Sequence, residues 1–135
     1  MVCPIGIGEM CKHFKRGFTL IELLVVMAII GTLLTIAVPR YFHSVEKSKE
    51  AVLRQNLELT RQALDKFFSD NGKYPDNLED LVNKKYLRSI PYDPIAESST
   101  SWLIIASDTP EKGAVYDIKS GASGQGLDGT EYKDW

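Results

Sequence analysis

Residues 15–31 read KRGFTLIELLVVMAIIG, a basic pair and a glycine set directly against an apolar run of about 21 residues, Phe18 to Val38, in which Glu22 is the only ionisable group. That length suits a membrane-spanning helix, which needs about 20 apolar residues, and it exceeds the apolar stretch of a cleaved secretory signal. One carboxylate inside such a span costs roughly 2.5 to 3.5 kcal/mol near the bilayer centre and less near an end, so some interaction has to offset it. Cleavage after Gly17 would supply one. The new amine at Phe18 would lie four residues before Glu22 on the same helix face, where the two charges neutralise each other.

The flanking charge fixes an orientation. Lys12, Lys15 and Arg16 precede the span with only Glu9 opposing them, which places the amino terminus in the cytoplasm and the remainder across the membrane. The chain has 135 residues with 16 bases and 18 acids, and loss of the leader leaves a net charge of about −4. No basic patch invites nucleic acid. Both cysteines, Cys3 and Cys11, fall in residues 1–17, so a chain starting at Phe18 has no disulfide, and their spacing matches no metal-ligand pattern. Met10 opens a second, shorter leader, MCKHFKRG, and is an alternative start to Met1.

Beyond Pro39, apolar residues recur at Phe42, Val45, Val52, Leu53, Leu57, Leu64, Phe67 and Phe68, in helical steps of three, four and seven. The spacing predicts a helix continuing to about Ser69, its outer part packing on a small lobe that buries too little surface to be stable alone. Asn71, Gly72 and Pro75 stop it. Asp76 or Asn77 then caps a short helix, LEDLVNKKYL, with Leu78, Leu81, Val82 and Leu87 docking on the first. PYDP, 91–94, makes a rigid turn. Ser101 to Ala106 and Ala114 to Ile118 read as two antiparallel strands joined by DTPEKG, and Lys119 to Trp135 as a loop pinned by Tyr132 and Trp135. The expected class is α+β: leader 1–17, membrane half 18–38 and outer half 39–71 of one long helix, and a lobe at 72–135.

The segment KRGFTLIELLVVMAIIG resembles the class III signal of type IV pilins and type II secretion pseudopilins, which implies a type IV pilin-like fold. The resemblance implies a prepilin peptidase that reads Lys15 and Arg16, cuts between Gly17 and Phe18 and N-methylates Phe18. It also implies that Glu22 pairs with the amino terminus of a neighbouring subunit, and that Gly31 and Pro39 bracket a stretch that unwinds in assembled filaments. The order YP, leucine-rich helix, YLRSIPYDP is similar to the major pseudopilin family, general secretion pathway protein G, in which a disulfide is generally absent. That family implies a periplasmic homopolymer, extended by an inner-membrane assembly platform with minor pseudopilins, that drives folded proteins through an outer-membrane secretin. The alternative is an external type IV pilus.

The same resemblance implies a structural calcium ion in the last loop, held by aspartates, a serine and backbone carbonyls. Asp117, Ser120, Ser123, Asp128, Glu131 and Asp134 are available, with Asp117 and Asp128 the preferred ligands. The chain departs from the family pattern, however, carrying Gly121, Ala122 and Ser123 where the family commonly has glycine, alanine and aspartate. The alternative is a loop held by hydrogen bonds and Trp135. No enzyme is expected: GQGLDG at 124–129 lacks the βαβ context of a dinucleotide fingerprint, and His13 and His43 are the only histidines, too few for a triad or zinc site.

Overall fold

Helix α1 spans Leu20–Asn71, 52 residues with Pro39 inside it. The computed structural model describes residues 17–135, so the leader residues Cys3, Glu9, Cys11, Lys12, His13, Lys15 and Arg16 lie outside the described part. The chain divides into two compact units at the junction of Pro39 and Arg40. In the first, every described residue is exposed, the apolar Leu23, Leu24, Val26 and Ile30 among them. This part of α1 is long and apolar enough to cross a membrane, where lipid or neighbouring helices cover such a surface. Thr32 and Thr35 satisfy their hydroxyls within the helix, donating to Ala28 O and Gly31 O at 2.8 Å each.

In the second unit α1 buries Glu50, Leu53, Leu57, Thr60, Leu64 and Phe67. Their steps alternate three and four, which keeps them on one helix face. Of the apolar positions read from the sequence, Leu53, Leu57, Leu64 and Phe67 lie in this stripe, whereas Phe42 and Val52 are exposed. Gly72 ends the helix at φ +73°, its N–H donating to Phe68 O at 2.8 Å, in a left-handed conformation that glycine adopts without steric cost.

Helix α2, Leu78–Asn83, is capped by Asn77, whose Oδ1 accepts from Asp80 N at 2.9 Å. It is shorter than the expected run to Leu87. Lys85 turns the chain at φ +64°, and the N–H groups of Tyr86 and Leu87 both return to Leu81 O, satisfying a terminal carbonyl. Leu81 is fully buried in one cluster with Leu57, Leu64, Phe67, Trp102 and Ile118, with Leu78 and Leu87 packed at its margin.

Strands β1, Leu103–Ile105, and β2, Asp117–Lys119, pair antiparallel, Ile104 opposite Ile118. The second strand begins three residues later than expected and ends one residue later. Val115 is buried, but its N–H goes to Pro75 O at 3.0 Å, so the loop after α1 fixes that stretch and the sheet begins beyond it. The connection holds a 3₁₀ turn at Pro110–Lys112. Gly113 follows at φ +100°, where a Cβ would run into the Tyr74 carbonyl. Residues 120–135 form a loop with a second 3₁₀ turn, Tyr132–Asp134, so no helix follows GQGLDG. The architecture is the α+β, type IV pilin-like one: a long apolar-to-amphipathic helix, a short helix and a two-stranded sheet.

Candidate functional site

The start of α1 is built by a reciprocal pair. Glu22 N donates to Thr19 Oγ1 at 3.2 Å and Thr19 N donates to Glu22 Oε2 at 3.4 Å. This threonine and glutamate three apart form a capping box, which satisfies N–H groups that a helix start leaves unpaired. The negative carboxylate also sits at the positive end of the helix dipole. Phe18 immediately precedes this cap and is 88% exposed. Among the described residues, nothing comes within 4 Å of where a Gly17 side chain would project. Among the described residues nothing crowds Gly17, and Glu22 is held one helical turn from the Gly17–Phe18 bond. Lys15 and Arg16 lie outside the described residues.

Farther along the same unit, Gly31 and Pro39 both lie inside α1. Proline has no N–H to donate, which removes the bond that Thr35 O would otherwise accept. A Cβ at Gly31 would meet nothing within 4 Å among the described residues, so the glycine is not required by packing inside the subunit.

In the lobe, the two preferred calcium ligands are each engaged by a different arginine of α1. Asp117 Oδ1 is 2.8 Å from Arg61 Nε. Asp128 Oδ2 is 2.7 Å from Arg54 Nη2, while its Oδ1 accepts from Thr130 N at 3.0 Å and Thr130 Oγ1 at 2.6 Å. The Thr130 hydroxyl and N–H, with a smaller contribution from Arg54, hold the Asp128 carboxyl below its ordinary range. Ser120 is buried, its hydroxyl donating to Asp93 Oδ2 at 2.5 Å and accepting from Ala122 N at 3.1 Å. Glu131 is paired with Lys133 at 2.6 Å. Among the described residues no three Asp, Glu, His or Cys side chains gather as a metal would require.

Sequence reasoning passed over Thr19, Glu50, Arg54 and Arg61. The first was legible, since threonine and glutamate three apart ahead of an apolar run is a cap signature. Glu50 is buried yet charged; its Oε1 accepts from Leu127 N at 2.8 Å and from Tyr132 Oη at 2.9 Å. Burial and the Glu50 carboxylate push the Tyr132 phenol up to about 12. Nothing local to residue 50 announces partners 77 and 82 positions away.

Residues 12–38 match the prokaryotic N-terminal methylation motif. The type IV major pilin PilA of Myxococcus xanthus is 44% identical over 62 residues, 46% of this chain and 28% of the pilin. The fimbrial protein EcpC of Eikenella corrodens is 35% identical over 103 residues, covering 73% of this chain and 65% of that protein. Type II secretion system core protein G of Aeromonas hydrophila is 32% identical over 101 residues, 63% of this chain and 71% of that protein. The chain thus spans less than two thirds of the length of the first two of these relatives. No solved structure matches this chain.

Proposed function

We propose, from the premise that this chain belongs to the family of type II secretion system core protein G, that it is the repeating subunit of a secretion pseudopilus. The observation that carries this reading is the share of the relative covered: the 101 matched residues extend past the methylation motif at 12–38 and take in 71% of the Aeromonas protein, against 65% of EcpC and 28% of the Myxococcus pilin. In this reading a prepilin peptidase cuts between Gly17 and Phe18 on the cytoplasmic side and methylates the new amine. The apolar half of α1 then holds the subunit in the inner membrane with the lobe in the periplasm. Neighbouring copies of α1 cover one another's exposed apolar surface in a helical homopolymer, and Glu22 meets the amino terminus of a neighbouring subunit. An inner-membrane platform and minor pseudopilins complete the assembly, whose growth pushes folded proteins through an outer-membrane secretin. The subunit itself performs no chemistry.

The 44% identity to the Myxococcus pilin, over 28% of that pilin, and the 35% identity to EcpC over 103 residues favour a second reading, an external fibre. Gene deletion separates the two. Loss of a pseudopilin strands folded exoproteins in the periplasm while surface motility survives, and a plasmid copy restores export. An unchanged culture supernatant with motility abolished would make the external pilus the better reading.

A further inference from the structure

A calcium ion takes about six to eight oxygens, several of them charged. The side chains that would supply them here are committed elsewhere: Asp117 to Arg61, Asp128 to Arg54 and Thr130, and Ser120 to Asp93. The residues present do not fit the ion. What reaches the loop instead is positive charge delivered by α1. Arg54 and Arg61 are seven residues apart, two helical turns along one face and roughly 10 Å from each other. Arg61 donates from Nε to Asp117 and from Nη2 to Ile118 O and Trp135 O, both at 3.0 Å. Its one planar fork thereby ties β2 and the last residues of the loop to the helix. Arg54 binds the Asp128 carboxylate, and its guanidinium lies 3.8 Å from the centre of the Trp135 ring, a cation–π contact.

We propose that the two guanidiniums do for this lobe what a divalent cation would do: they neutralise Asp117 and Asp128 and fasten residues 117–135 to α1, so that the loop is ordered without metal. The assignment is independent of whether the assembled filament is a pseudopilus or an external fibre. Guanidinium suits the task because its donors are fixed in a plane and its charge persists at all working pH values. An ammonium at position 61 would keep the charge and lose the simultaneous contacts to Asp117, Ile118 and Trp135.

The test uses the full chain in detergent micelles, with thermal unfolding and amide hydrogen exchange as readouts. Millimolar calcium or excess EDTA is expected to change neither the wild-type Tm nor the protection of the Leu127 and Tyr132 amides. Arg61→Gln is expected to lower Tm by at least ~4 °C and to speed exchange across the loop. Arg61→Lys should fall between it and wild type. Arg54→Gln, whose ion pair is half exposed and worth less, should speed exchange at Leu127 and Tyr132 with a smaller change in Tm. A rise in wild-type Tm or loop protection on adding calcium would overturn the proposal, as would wild-type exchange in both Arg54→Gln and Arg61→Lys. Those two milder variants carry the test if Arg61→Gln does not fold.

Discussion

Tyr132 donates its hydroxyl to the buried carboxylate of Glu50 at 2.9 Å, a bond that closes 82 positions of sequence. The same oxygen accepts Leu127 N, so one acid on α1 holds two points of the loop. Below it lie Leu53 and Leu57, which are almost fully buried. The helix therefore meets the loop through polar groups at its first buried position, with Leu53 and Leu57 buried beyond it and Arg54 and Arg61 making further polar contacts to the loop along the helix. A buried acceptor with two donors is asymmetric in energy: forming the bonds contributes modestly, while deleting the acceptor strands both donors away from water.

Glu50→Ala is accordingly expected to destabilise the lobe by about 2–4 kcal/mol, with Glu50→Gln costing less because an amide oxygen still accepts. Denaturant titration of the full chain in micelles measures both. Equal stability of the alanine variant and wild type would show that the loop does not depend on this contact.

Alkaline pH tests the same bond from the other partner. The Tyr132 phenol is raised from 10.0 to about 12, chiefly by burial and then by Glu50. The fold thus favours the neutral phenol, and this contribution to stability is complete below pH 10 and lost as pH rises through about 12. Tyr74 and Tyr86 are raised as well, so a tyrosinate absorbance titration should show late-titrating groups, of which Tyr132→Phe removes the one near 12. If all the tyrosines titrate together near 10, the burial of this ring is refuted.

The stripe residues Leu53, Leu57, Leu64 and Phe67 were legible because period and polarity agree there. Glu50 and Thr60 occupy the same face and were not, since their burial rests on distant partners for one and, for the other, on a bond to its own helix at Asn56 O. Val52 and Phe42 look identical to core residues in sequence, yet both are exposed. Helix α2 was expected to run four residues too far because LEDLVNKKYL keeps its apolar spacing; the positive φ at Lys85 accompanies Tyr86 and Leu87 turning back to Leu81 O, a local cap taken here by a lysine where glycine or asparagine is the usual signal. The second strand was shifted for a related reason, Val115 being claimed by Pro75. At the membrane end, Gly17, Phe18 and Glu22 stand out in the sequence because a single acid in an apolar run has few explanations; processing and filament assembly are the tests of their roles.

Processing is expected to yield a chain that begins at methylated Phe18. Phe18 is exposed and, among the described residues, nothing crowds Gly17. Intact mass of membrane-extracted protein checks it; an uncut amino terminus in cells with an active prepilin peptidase would contradict the assignment.

Glu22 has two candidate jobs, and substitutions tell them apart. As the second half of the capping box it needs only an acceptor oxygen for Thr19 N. As the counter-charge for the amino terminus of a neighbouring subunit it needs its negative charge. Glu22→Gln keeps the acceptor and loses the charge; Glu22→Ala loses both. Removing the acid lowers the cost of membrane insertion, which is roughly 2.5 to 3.5 kcal/mol for a charge near the bilayer centre and smaller near an end, so both variants should insert and be cleaved. If charge pairing governs assembly, neither forms filaments when overexpressed, as judged by cross-linking and microscopy. Wild-type filament yield from Glu22→Gln alone would assign the residue to capping, and wild-type yield from both would leave it without a role in assembly.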